Sequence, residues 1–100
     1  MNKNIIINGI NDESLNLLEI LLDFGINDVI FIDSNREKVA DLNTYSDNNI
    51  AIFGDTVSPE FLEYSGVNRQ ETDTIFVSVT KDDSINLISC QIAKYLYNAF

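Results

Sequence analysis

The chain has no histidine, no tryptophan, one cysteine, one proline and four glycines among its 100 residues. Each scarcity excludes something. Without histidine there is no imidazole base, no Ser–His or Cys–His nucleophile and no imidazole-ligated metal. The single cysteine, Cys90, closes no intrachain disulfide and builds no thiolate zinc cluster. It lies in a stretch of helical spacing and reads as core packing, because free cysteine is among the most buried residue types. One proline and no low-complexity tract leave no linker, so residues 1–100 form a single domain. Cations are scarce as well, with 6 Lys and Arg against 16 Asp and Glu and a net charge of -10. That balance excludes a nucleic-acid partner, whose phosphates attract Lys and Arg. The longest apolar runs, residues 5–7 and 29–32, fall far short of the ~20 residues that span a bilayer, so direct membrane insertion is excluded. The N-terminus lacks the apolar stretch of a secretory signal, and a cytoplasmic location follows.

What is present is a repeated alternation. Four short β-type apolar runs, residues 4–8, 28–32, 49–53 and 74–79, are each followed by a helical pattern. The first helix is predicted over residues 12–24, with Leu15, Leu18 and Leu22 on one face and Gly25 as its stop. The second is opened by Ser34 with Glu37 three residues on, a capping-box spacing, and Val39 and Leu42 form its thin apolar side. Ser58 caps the third, Pro59 takes its first position and Gly66 ends it. The fourth follows Thr80 and Asp82 and carries Ile85, Ile88, Ile92 and Leu96. Runs of Ile, Val and Phe that do not alternate with polar residues suit a parallel sheet covered on both faces. The expected class is α/β, a Rossmann-like parallel sheet with helices on both faces built from four βα units.

Ligands of such sheets bind beyond the carboxyl ends of the strands. The residues there are Gly9, Ile10 and Asn11 running on to Ser14, then Asp33 with Ser34, Gly54 with Asp55 and Thr56, and Thr80 running on to Asp83. A dinucleotide site needs a G-x-G-x-x-G turn and an acid about 20 positions later. Asp33 supplies the acid, or is a solvated strand-end residue. Of the glycines the first stays as Gly9, whereas Asn11 and Ser14 replace the others. Asn11 tolerates left-handed backbone angles, but its side chain projects where pyrophosphate must approach. Asp12 and Glu13 add negative charge that repels phosphate, or they simply complement the helix macrodipole.

Taken together, these segments resemble the TrkA N-terminal or RCK (regulator of potassium conductance) domain across essentially the whole chain. The resemblance is carried by residues 5–9, by residues 29–33 with Arg36 and Val39, and by Gly54, Asp55, Thr56, Pro59, Leu62, Gly66 and Val67. Residues 74–80 complete it, with Asp82, Asp83, Asn86, Cys90, Ala93 and Lys94. It implies a non-enzymatic cytoplasmic regulator that forms a homo-oligomer and acts on a membrane potassium channel or transporter subunit. It also implies NAD(H), ATP or ADP as ligand, with phosphates over Gly9, Ile10 and Asn11, ribose on Asp33, and adenine near Asp55 and Thr56. The departures at Asn11, Asp12 and Ser14 predict that this binding is weak or lost. Domains of that family continue beyond the fourth helix, so the resemblance implies a chain truncated at Phe100 with an open sheet edge. Two other readings use the same residues. A phosphorelay receiver would take Asp55 as acceptor with Asp12, Glu13 and Thr80 around it, and a pure protein-interaction module would need no ligand. Carboxylate pairs such as Asp82 with Asp83 are the raw material of a hard-cation site, but read first as a solvated acidic face.

Overall fold

Strand β1 (Lys3–Asn8) contributes three consecutive isoleucines that point alternately to opposite faces of a sheet, and both faces bury them. A computed structural model describes residues 3–26, 28–46, 50–65 and 73–97. After β1 come α1 (Asp12–Asp23), β2 (Val29–Asp33), α2 (Arg36–Ser46), β3 (Ala51–Phe53), α3 (Pro59–Ser65), β4 (Asp73–Ser78) and α4 (Asp83–Tyr97). The four strands form one sheet in the order β3-β2-β1-β4 with every pairing parallel. This is the α/β architecture expected from the alternation of the sequence.

Register fixes which residues make each core. Ile5 opposes Val29 and Ile7 opposes Phe31, and these four join Val39 and Leu42 of α2 beneath Leu15, Leu17, Leu18 and Leu21 of α1. On the other face Ile6, Ile32 and Phe76 meet Leu62 of α3 and Ala93 of α4. Ile6, Ile7, Phe31 and Ile32 are fully buried, and each such side chain contributes about 1.5–3 kcal/mol relative to exposure. Helices α1 and α2 thus cover one face and α3 and α4 the other.

The helix ends follow local chemistry. At the end of α1, Gly25 adopts φ +79. Its N–H donates to the Leu22 carbonyl, and that of Ile26 to the Leu21 carbonyl. That is the Schellman arrangement, completed by apolar packing of Ile26 and Leu21 on the same core. The expected stop at Gly25 is therefore met, one residue past Phe24. Ser58 caps α3 as expected, accepting the Phe61 N–H at 3.4 Å. Asp82 caps α4 through the N–H groups of Ser84 and Ile85, at 2.9 and 3.2 Å.

Three expectations need correction. The cap of α2 is Asn35 rather than Ser34, because Asp33 accepts the Asn35 N–H at 2.8 Å and carries the chain one residue further before Asn35 takes the Lys38 N–H. Leu22 shares the face of α1 that carries Leu15 and Leu18 but is not covered there; it is 50% exposed, and the residues packed on the core are Leu15, Leu17, Leu18 and Leu21. On α4 the fully buried positions among the described residues are the small Ser89 and Ala93, which let the helix approach the sheet closely, while Ile88 is 46% exposed. The side chain of Leu96, like Asn49 and Gly66, falls outside what the structure describes.

Candidate functional site

The loops that follow the four strands come together above the carboxyl edge of the sheet, that of β3 through Thr56. The β1–α1 loop begins at Gly9, whose φ of +108 favours glycine, and a Cβ there would stand 3.1 Å from the Thr80 nitrogen. Asn11 then caps α1. Its Oδ1 accepts the Ser14 N–H at 3.0 Å and the Ser14 hydroxyl oxygen accepts the Asn11 N–H at 3.0 Å, a reciprocal capping box. The Asn11 side-chain amide also reaches across to the residue that follows β4, where Nδ2 donates to the Val79 carbonyl at 2.8 Å. From the β2 side, Asp33 accepts the Ile10 N–H at 2.9 Å. The loop is thus pinned at one edge by Asp33 and at the other by Val79.

Beneath the loop a chain of polar side chains ties β1 to α4. The Ser78 hydroxyl donates to Asn86 and the Ser89 hydroxyl to the Thr56 carbonyl, each at 2.8 Å, so both oxygens accept from the Asn8 amide. Asn86 also accepts the Thr80 N–H at 2.9 Å and returns a hydrogen bond to the Thr80 carbonyl at 3.0 Å. The Thr80 hydroxyl lies 2.6 Å from the same Asn86 oxygen. It is therefore engaged with the start of α4 rather than held out for a ligand.

These loops enclose a crevice of about 190 Å³, which adjoins a more open one of about 460 Å³ over Asn11, Asp12, Glu13 and Lys81. Seven of the residues expected from the sequence line the smaller crevice: Gly9, Ile10, Asn11, Asp33, Ser34, Thr56 and Thr80. Gly54 and Asp55 do not. Gly54 lies against the Phe61 ring, which would clash with any Cβ there. Asp55 is exposed and accepts the Val57 N–H at 3.1 Å, a turn contact of its own loop. Lys38, Asn8 and Ile85 on the same wall were not expected from the sequence. Lys81 and Asp82 also line it, within the stretch from Thr80 to Asp83 that the strand-end rule marks. Lys38 comes from the first turn of α2 and needs the three-dimensional register.

The sheet order also decides one alternative. A receiver of the flavodoxin-like kind has its third strand beside the first, whereas here β2 stands between β1 and β3. Asp55 is therefore two strands removed from Asp12 and Glu13, and the expected acidic cluster around it is not assembled. Among the described residues no group of three or more Asp, Glu or Cys side chains is placed to hold a metal ion.

The sequence model of the TrkA-N domain matches residues 5–99. The chain belongs to the TrkA-N family. A relative is the Trk system potassium uptake protein TrkA of Azorhizobium caulinodans, 32% identical over 65 residues that make up 65% of this chain and 14% of that protein. The matched segment is thus a small part of the relative's length. In this TrkA-N domain the N–H groups of Ile10 and Asn11 and the Asp33 carboxylate all have partners within the protein. No helix of the described residues is long and apolar enough to cross a membrane. Cys90 is half-buried beside the polar network, and burial pushes its thiol pKa up, with a Ser78 backbone hydrogen bond opposing part of the rise.

Proposed function

We propose that this TrkA-N domain is a non-enzymatic regulatory domain of a potassium uptake system. It works in the cytoplasm, assembles with copies of itself and acts on a membrane potassium channel or transporter subunit. Family membership and the potassium uptake relative support the system, and the absence of histidine from the chain supports the non-enzymatic reading.

The observation that carries our reading of the ligand is the self-contained β1–α1 loop. In a dinucleotide site the backbone N–H groups of this loop receive pyrophosphate and the acid ending β2 receives ribose hydroxyls. Here Ile10 N–H and the acid, Asp33, hydrogen-bond to each other, and Asn11 N–H is held by Ser14. A nucleotide seated over Gly9, Ile10 and Asn11 must break these contacts before it gains its own, and a hydrogen bond to a charged group is worth about 1.5–3 kcal/mol. Binding of NAD(H), ATP or ADP is therefore weak or lost. The nearby Lys38 and Lys81 supply attraction without the directed donors that phosphate recognition uses.

Calorimetric titration of the purified chain with NADH, ATP and ADP tests the ligand reading. We expect dissociation constants weaker than the low micromolar range; a tighter one refutes the closed loop. The regulatory reading is tested by rubidium influx in cells that make or lack the chain. Influx indifferent to its presence refutes that reading whatever the calorimeter reports.

A further inference from the structure

Helices α1 and α2 leave an apolar groove of about 600 Å³ between them on the face of the sheet away from α3 and α4. Its floor is Ile10, Leu15, Leu18 and Leu42, and its rim carries Leu22 and Tyr45. Tyr45 is 90% exposed and Leu22 50%, although side chains of that size are normally covered when they flank an apolar floor. The volume lies within the range of sites that enclose several apolar groups. Paired helices with such a trough between them take an amphipathic helix, whose anchors at i, i+3, i+4 and i+7 enter the trough.

The charge around the groove says which helix. Glu19 and Asp41 stand on its two walls, one from each helix, and Lys38 is the single cation among its lining residues. The chain as a whole carries a net charge of -10. None of the described helices of this chain is rich in Lys or Arg, so a second copy has no complement to these carboxylates at the groove, whereas a basic segment is attracted over the Debye length and held by them on arrival. Cytoplasmic segments next to membrane spans carry an excess of Lys and Arg. We propose that the α1–α2 groove is the docking site for a basic amphipathic helix from the cytoplasmic side of a membrane protein. Naming a membrane protein as the source rests on the regulatory reading above; the groove and the chemistry of its occupant do not.

The position of the groove gives docking a route to the crevice. Ile10 and Lys38 line both. The backbone N–H of Ile10 is the one held by Asp33, and its side chain is part of the groove floor. A helix pressed against Ile10 therefore bears on the β1–α1 loop directly.

The test uses the full chain and a synthetic 15-residue helical peptide with leucines at i, i+3, i+4, i+7 and i+11 and lysines elsewhere. Two controls accompany it: the same leucine pattern with glutamates, and a scrambled Leu/Lys sequence. Fluorescence anisotropy should show the Leu/Lys helix binding at least tenfold more tightly than either control, with affinity falling as salt rises. Tyr45→Lys and the pair Glu19→Lys with Asp41→Lys, all at the surface and compatible with folding, should each weaken it tenfold or more. Tyr64→Glu, an exposed change on α3, should leave it unchanged. Amide chemical shifts should move along α1, α2 and Ile10. Equal binding of the glutamate helix, indifference to the groove variants, or shifts confined to α4 overturns the proposal. So does a concentration-dependent dimer that Tyr45→Lys abolishes, which would assign the groove to a second copy. Peptide binding that survives these controls beside unaltered rubidium influx keeps the groove and removes potassium regulation. Altered influx with no groove binding does the reverse.

Discussion

Replacing Asp33 with alanine separates two roles that its position at the end of β2 allows. If the carboxylate waits for ribose, its loss from the empty protein is nearly neutral, as for most surface changes. If it is the clasp of the β1–α1 loop, its loss removes acceptors for two backbone donors, Ile10 N–H at 2.9 Å and Asn35 N–H at 2.8 Å. Hydrogen bonds to a charged acceptor contribute about 1.5–3 kcal/mol each when shielded. The Asn35 bond is exposed and the Ile10 bond part-buried, so solvent replaces much of the first and less of the second. A net loss of about 2 kcal/mol follows, which for a chain of this size lowers Tm by roughly 8–16 °C. Urea unfolding followed by circular dichroism measures the loss, and hydrogen exchange locates it, since the Ile10 amide should lose protection while Ile6 and Ile7 keep theirs. Asp33→Asn should recover part of the stability by keeping one acceptor oxygen. A change below about 0.5 kcal/mol with Ile10 still protected would refute the clasp.

Two further outcomes follow from other parts of the site. Gly54→Ala puts a Cβ into the Phe61 ring, so that ring must swing out of the cluster it shares with Leu62 and Ile32, and overpacking of this kind costs about 1–3 kcal/mol. Gly54→Ala with Phe61→Leu should be more stable than Gly54→Ala alone if the ring is the obstacle. Because burial holds the Cys90 thiol pKa above its ordinary value, iodoacetamide at pH 8 should modify it more slowly than a free cysteine. A raised pKa favours the neutral thiol, so its contribution to stability is complete below the unfolded pKa and declines as pH climbs through the folded one; Cys90→Ser should reduce that alkaline decline.

Much of the fold was legible because parallel sheets leave a coarse signature. Uninterrupted β-branched runs followed by capped helices specify four βα units, and Pro59, Gly25 and Ser58 mark their boundaries by chemistry that acts over three or four residues. The α2 cap was misplaced because Ser34 and Asn35 are both good caps, and the Asp33 side chain, not the local sequence, chooses between them. Within the site, residues directly after a strand were found by position alone, which is why Gly9, Asp33 and Thr80 fall on the crevice. Position does not say where a hydroxyl or carboxylate points. Thr80 turns to Asn86, Asp33 to Ile10, and Gly54 is small to make room for Phe61. Lys38 reaches the crevice from a helical turn, a placement that depends on how α2 is laid against β2.

The closed loop can be reopened by design, and the reopening tests whether closure or the crevice itself limits nucleotide binding. Asn11→Gly and Ser14→Gly remove the capping box and release the Asn11 N–H, and Asp12→Arg replaces an acid at the start of α1 with a cation. Losing the cap costs about 0.5–2 kcal/mol, and a cation at a helix N-terminus a further 0.3–1 kcal/mol or so. Both fit within the 5–15 kcal/mol or so of stability typical of a domain, so the triple variant should fold. In return the loop regains a backbone donor that phosphate can use and loses the carboxylate that repels it. A gain of at least tenfold in ADP affinity is expected, corresponding to ~1.4 kcal/mol. It is deliberately less than a charged hydrogen bond supplies, because Ile10 N–H remains with Asp33 and the loop is at the surface, where salt screens charge. Adding Asp33→Ala to the triple variant then distinguishes two uses of the carboxylate. If ribose displaces Ile10 from Asp33, the added change removes most of the gain; if Asp33 stays clasped to Ile10, affinity holds or rises because a second donor is freed. A folded triple variant that binds ADP no better than the parent would mean that the crevices above the sheet, about 190 and 460 Å³, do not accept the nucleotide regardless of the loop.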